Sequence, residues 1–161
     1  MNSGAIGKAG ILVFTNLNQT WDLDVIFPGG SGSSEFSAYL DSLETDIASL
    51  SGELASGEGA SGGVLAWVSR LEKLQGLSRR LRHAGAFASC LTAQDVNDKR
   101  ARIVSGRVRQ LQAAFNSAMT MVDKEILEMS DSEWASLLQE ESLKPVAFNL
   151  NERRERAKVM L

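Results

Sequence analysis

A chain of 161 residues with 43% apolar residues and a net charge of −3 has the length and balance of one ordinary globular domain. Such a charge excludes the strong basic field with which nucleic-acid binders gather phosphates, so no nucleic-acid partner is expected. The lone Cys90 can close no intramolecular disulfide and lacks the paired spacing of a zinc knuckle, which points to a reducing compartment, the cytoplasm.

Residues 1–20 carry Gly4, Gly7 and Gly10 without helical period and remain an unassigned arm, a short strand or a tag remnant. The apolar run AGILVF is too short to span a bilayer, and no small-residue cleavage pattern follows it. Neither an export signal nor a membrane association is expected. In TWDLDVIFPGGSGSS, Trp21, Leu23, Ile26 and Phe27 sit among turn formers. Burying an aromatic ring stabilises by roughly 1.5–3 kcal/mol, so Trp21 and Phe27 are expected to pin this loop to the rest of the fold.

Five helices are predicted, near residues 34–54, 63–92, 97–129, 131–142 and 148–160, forming an all-α bundle around a long antiparallel central hairpin. The first follows a serine cap at Ser33 or Ser34 and places Phe36, Leu40, Leu43, Ile47, Leu50 and Leu54 on one seam. Asp41, Glu44 and Asp46 should then face water, and GELASGEGASGG should end the helix. In the second, Trp67, Leu71, Leu74, Leu77, Leu81, Ala84, Ala88 and Leu91 share a stripe, backed by charged residues that include Arg70, Arg79, Arg80 and Arg82. Its end, AGAFASCL, is apolar all round and predicts burial on more than one side.

The third helix is the longest amphipathic stretch. Val104, Val108, Leu111, Phe115, Ala118, Val122, Ile126 and Met129 recur at steps of three and four, and Ile103, Ala114 and Met121 make a second line expected to touch another neighbour. Ser130-Asp131-Ser132-Glu133 has the pattern of a capping box, and Trp134, Leu137 and Leu138 give the fourth helix a buried edge before Pro145. The last helix carries the run Arg153, Arg154, Arg156 and Lys158, interleaved with Glu152 and Glu155, and predicts a solvated face. It closes on Val159-Met160-Leu161 with no cap, an end expected of a fragment.

Chemistry is sparse in the sequence. His83 lies opposite the apolar stripe and is expected at a solvated rim; Cys90 has no neighbouring cation to make it a thiolate and is expected as a buried small residue. Trp67 and Trp134, at helical spacing, are expected in the core. There is no His-Glu-x-x-His pair, no Gly-x-Ser-x-Gly elbow, no phosphate-binding glycine loop and no dinucleotide fingerprint. No catalytic, cofactor-binding or metal-ligating residue is therefore assigned to this chain.

Three stretches together carry a resemblance. Trp21-Asp22-Leu23 with Phe27-Pro28 resembles the opening of oligoendopeptidase F and related zinc metallopeptidases, where it likewise precedes an acidic, leucine-rich helix. LEKLQGLSRRLRHAGAFASCLTAQDVND resembles that family's passage from a leucine-rich helix through a small-residue segment to a Thr/Asp-containing turn, and LKPVAFNLNERRERAKVML resembles its L-x-P-[YF]-x-x-x-L-x-x-x-R helix. Val146 departs from the aromatic usual after the proline, and Ala157-Lys158-Val159 from a common Arg-Pro-His. The resemblance implies the N-terminal helical domain of a zinc metalloendopeptidase that cleaves short peptides. That domain helps wall the substrate cavity, and the zinc lies in a separate C-terminal catalytic domain that packs on it in cis. In isolation such a domain is expected to associate with itself, as a dimer, through the surface its catalytic domain would cover. The alternative expectation is a free-standing helical protein–protein interaction module.

Overall fold

The computed structural model describes residues 22–57 and 63–160. Within them the chain forms five α-helices: α1 (Ser34–Ala55), α2 (Gly63–Gln94), α3 (Lys99–Glu128), α4 (Asp131–Leu138) and α5 (Ala147–Met160). Trp21 and the N-terminal arm lie outside the described residues.

Asp22 accepts the amide of Asp24, and a single 3₁₀ turn, Leu23–Val25, buries Leu23. Phe27 then inserts between α1 and α2, its ring 4.8 Å from Phe36, 4.9 Å from Phe87 and 5.5 Å from Tyr39. Tilted and edge-on aromatic contacts of this kind add to the burial itself, and they pin the loop as its composition predicts. Gly29 turns the chain with φ +90, a conformation a side chain would strain, and a second 3₁₀ turn delivers Ser33 to the head of α1. The Ser33 hydroxyl accepts the amide of Phe36 at 3.2 Å, satisfying a donor that the helix itself leaves unpaired.

All six seam residues of α1 are buried, and the helix stops at Ala55, two residues before Gly57 turns left-handed. α2 and α3 run antiparallel. Asp98 ends their connector, accepting the amides of Arg100 and Ala101 at 2.8 and 3.1 Å. α1 packs along both members of the hairpin, α5 returns across α3, and α4 sits on α2. Ala84 and Ala101 are wholly buried, and the small side chains there let the helices approach until the Ser105 hydroxyl donates to the Ala88 carbonyl.

Three expectations are corrected. α4 ends at Leu138 rather than near residue 142; the amides of Leu143 and Lys144 both turn back onto the Glu140 carbonyl, and Pro145 sits in a 3₁₀ turn that runs straight into α5. An unbroken helix would place Leu143 about 120° around the axis from Leu137; the break between them brings both side chains into one core. The second apolar line of α3 finds no covering element among the described residues: Ile103 is 72% exposed and Ala114 is exposed, while Met121 is half-buried against the core. In AGAFASCL only Ala84, Phe87, Ala88 and Leu91 are buried; Ala86 and Ser89 face solvent. The α1 carboxylates face water as expected, Asp41 and Glu44 being exposed, and they form ion pairs as well. Arg107 donates to Asp41 at 2.6 Å and Glu44 at 2.7 Å, and Arg80 pairs with Asp46.

Candidate functional site

α2 carries its charges between Arg70 and Arg82, and its arginines divide by what the helices around them offer. Arg80 lies toward α1 and meets Asp46 and the Ser42 hydroxyl, with its guanidinium 5.5 Å from the Tyr39 ring centre. Arg70, expected on the charged back of the helix, is instead only 8% exposed, over the Trp67 ring and paired with Glu125 of α3. Burial of a guanidinium is tolerated when a carboxylate and an aromatic face both replace lost water.

Arg79 and Arg82 have neither. At three and four residues to either side stand Gln75, Gly76, Ser78, His83, Gly85 and Ala86, besides the two arginines themselves, so no carboxylate is within one helical turn. Among the described residues neither arginine forms an ion pair. Both line an open groove of about 740 Å³ formed by α2, α3 and α5, to which α1 contributes nothing. Leu71, Leu74, Phe115, Met119 and Leu150 form its floor, and Gln112 and Asn116 stand on the α3 side, with the Gln112 amide donating to Asn116 at 3.0 Å.

The far end of the groove is closed by a two-bonded ion pair. Arg153 of α5 donates to both carboxylate oxygens of Asp123, at 2.6 and 2.9 Å, which neutralises the acid beside the floor. Beyond it, a second hollow of about 710 Å³ shares Leu71, Gln75 and Leu150 and continues to Val146, Phe148 and Met160. Phe148 is 74% exposed. Arg109 of α3 is also exposed and unpaired among the described residues, one turn before Gln112.

The residues singled out by sequence do not converge on this groove. His83 is exposed on α2; Cys90 is half-buried against the core rather than fully buried, and Trp67 and Trp134 are core residues. Trp134 donates its indole N–H to Asn151 at 2.7 Å and carries the Arg154 guanidinium 5.2 Å from its ring centre. Arg154 corrects the expectation of a solvated α5 face. It is 7% exposed, donates to the Met129 carbonyl at 2.6 Å and pairs with Asp131 at 3.0 Å, tying the end of α3 to the start of α4.

Perturbed carboxyls lie at structural contacts. The Lys73 ammonium holds Glu53 below its usual range, the Ser130 hydroxyl and amide do the same for Glu133, and Glu44 and Asp41 raise Arg107. Among the described residues no three His, Cys, Asp or Glu side chains stand together as a metal-holding group. No helix among them is long and apolar enough to cross a membrane. What the groove can do chemically is bind: it offers an apolar floor, the three neutral side-chain amides of Gln75, Gln112 and Asn116, and two guanidinium groups that form no ion pair among the described residues. Compared with family models, characterised proteins and solved structures, the chain matches none of them.

Proposed function

We propose that this chain is the non-catalytic N-terminal helical domain of an oligoendopeptidase F-like zinc metalloendopeptidase, walling part of the cavity in which short peptides are cleaved. The observation that carries the reading is where the residues of the three family-like stretches fall. Phe27 of the first meets Phe87 of the second in one aromatic cluster with Phe36, and Leu23 is buried in the same core. In the third, Leu143 is buried, Leu150 packs against the core, and the pattern's final arginine falls on the buried Arg154. Several of the residues that carry the resemblance, Leu23, Phe27, Leu143, Leu150 and Arg154, thus pack in the core or against it, which supports a pattern set by packing.

In this reading the zinc and the chemistry belong to a C-terminal catalytic domain packed in cis, and the enzyme works in the cytoplasm. The isolated domain pairs with itself: Phe148 and Met160 leave apolar surface on α5 that a second copy can cover. The interaction-module alternative is favoured by the groove itself, whose lining binds rather than reacts.

The complete open reading frame containing this chain decides between them. Continuation into a His-Glu-x-x-His helix, with stoichiometric zinc and chelator-sensitive hydrolysis of a quenched short peptide by the whole protein, is the expected result. A reading frame that closes without any such helix overturns the peptidase reading.

A further inference from the structure

We infer that the groove beside α5 is a docking site for an acidic amphipathic helix of a partner protein. This goes beyond the peptidase reading and does not depend on it. The floor supplies the first requirement. From Leu71 to Arg82 the α2 wall rises about 16 Å, three helical turns, which accommodates apolar anchors at positions i, i+3 or i+4, and i+7. Met119 among the floor residues gives a surface that repacks around differently shaped anchors.

Charge supplies the second. Arg79 and Arg82 sit three residues apart on the groove wall, and neither meets a carboxylate among the described residues. The antiparallel register set by Arg70 with Glu125 and by Ser105 with Ala88 brings Arg82 opposite Gln112, with the exposed Arg109 one turn beyond. The one acid in the groove, Asp123, is already held by Arg153. The rim is therefore cationic, and its complement is a helix with carboxylates flanking its apolar stripe.

A second copy of this chain is a poorer occupant. Its acidic helix is α1, whose apolar seam is buried and whose Asp41, Glu44, Asp46 and Glu53 are already bonded to Arg107, Arg80 and Lys73. An apolar floor and an overall charge of −3 argue equally against a nucleic-acid strand.

The test uses two labelled synthetic helices with the same leucine stripe, one flanked by glutamates and the other by lysines, titrated by fluorescence anisotropy. The expected result is that the glutamate helix binds at least ~10-fold more tightly at low salt, with the preference shrinking as salt screens it. Arg79→Glu/Arg82→Glu should reverse the preference, while Lys99→Glu, at the far end of the hairpin, should leave it unchanged. Both variants alter exposed side chains, and circular dichroism verifies that each is folded. Amide shifts at Gln112 and Asn116 on adding the glutamate helix place it in the groove. Equal binding of the two peptides, a preference indifferent to Arg79→Glu/Arg82→Glu, or tighter binding of a single-stranded oligonucleotide than of the glutamate helix would each overturn the proposal. So would a dimer in sedimentation that the double variant dissolves.

Discussion

Two arginines show how a residue's neighbours decide its meaning. Arg70 and Arg154 read in the sequence as surface charges, yet each lies under 10% exposed against a tryptophan, with an acid or a carbonyl completing its bonds. Arg70 and Glu125 are mutually dependent, because either one left alone is a charge withdrawn from water. Glu125→Ala is expected to destabilise the fold by ~3–5 kcal/mol in urea denaturation. The double replacement Arg70→Met/Glu125→Leu, which removes both charges and keeps the volume, should cost much less. Equal costs for the single and double variants would mean that the pair is solvated in solution. Arg154 also carries a buried Nε with no hydrogen-bond partner among the described residues, a polar atom held in place by the bonds its two other nitrogens make.

Elements in this protein are bounded by side-chain caps that the sequence announces. Ser130 accepts the amide of Glu133 while the Glu133 carboxylate accepts the amide of Ser130, the reciprocal box that starts α4. Ser130→Ala is expected to cost ~1 kcal/mol, read as a lowered urea midpoint at unchanged slope. Glu133, Asp98 and Glu53 all have depressed carboxyl pKa values: Glu133 through Ser130, Asp98 through Ser31 and then the Ala101 and Arg100 amides, Glu53 through Lys73. A carboxyl whose folded pKa lies below its unfolded value stabilises fully above that unfolded value, near ~4, and the contribution is lost as pH falls through the folded one. Melting temperature should hold level from neutrality to about pH 5 and drop below about pH 4. Glu133→Gln, which keeps the box but cannot titrate, should make that drop shallower; an unchanged drop would show that Glu133 is not part of the acid response.

At the scale of the molecule, one core joins all the helices except the outer part of α5. Leu43 of α1 is wholly buried in it, opposite the hairpin. Leu43→Ala is expected to destabilise by ~2–5 kcal/mol in a single cooperative transition. Separate unfolding of α1 would instead mark it as an independent unit. The self-association proposed above is tested on the same scale by sedimentation equilibrium of the wild-type chain, where a reversible dimer is expected and a strict monomer with little hydrophobic-dye binding would refute it. A dimer that survives Arg79→Glu/Arg82→Glu is formed elsewhere than at the groove.

Sequence alone determined the helices, because the physics that sets them is local. The α1 seam, the hairpin stripes, a serine cap at the head of α1 and the capping box at Ser130 all follow from spacing and from side chains that bond their own backbone within a turn. The absence of an acid within one turn of Arg79 or Arg82 was equally there to be read. Only the tertiary structure decided which exposed-looking charges are buried and which apolar residues are left uncovered. Nothing in the spacing of Arg70 tells that Glu125, fifty-five positions away, will meet it; nothing in the stripe of α3 tells that α1 and α5 leave Ile103 and Ala114 bare. The groove belongs to the same class. It exists because α5 crosses α3 at one end of the hairpin and no described element covers the other, and where a helix lands on its neighbours is settled by packing between residues remote in the chain.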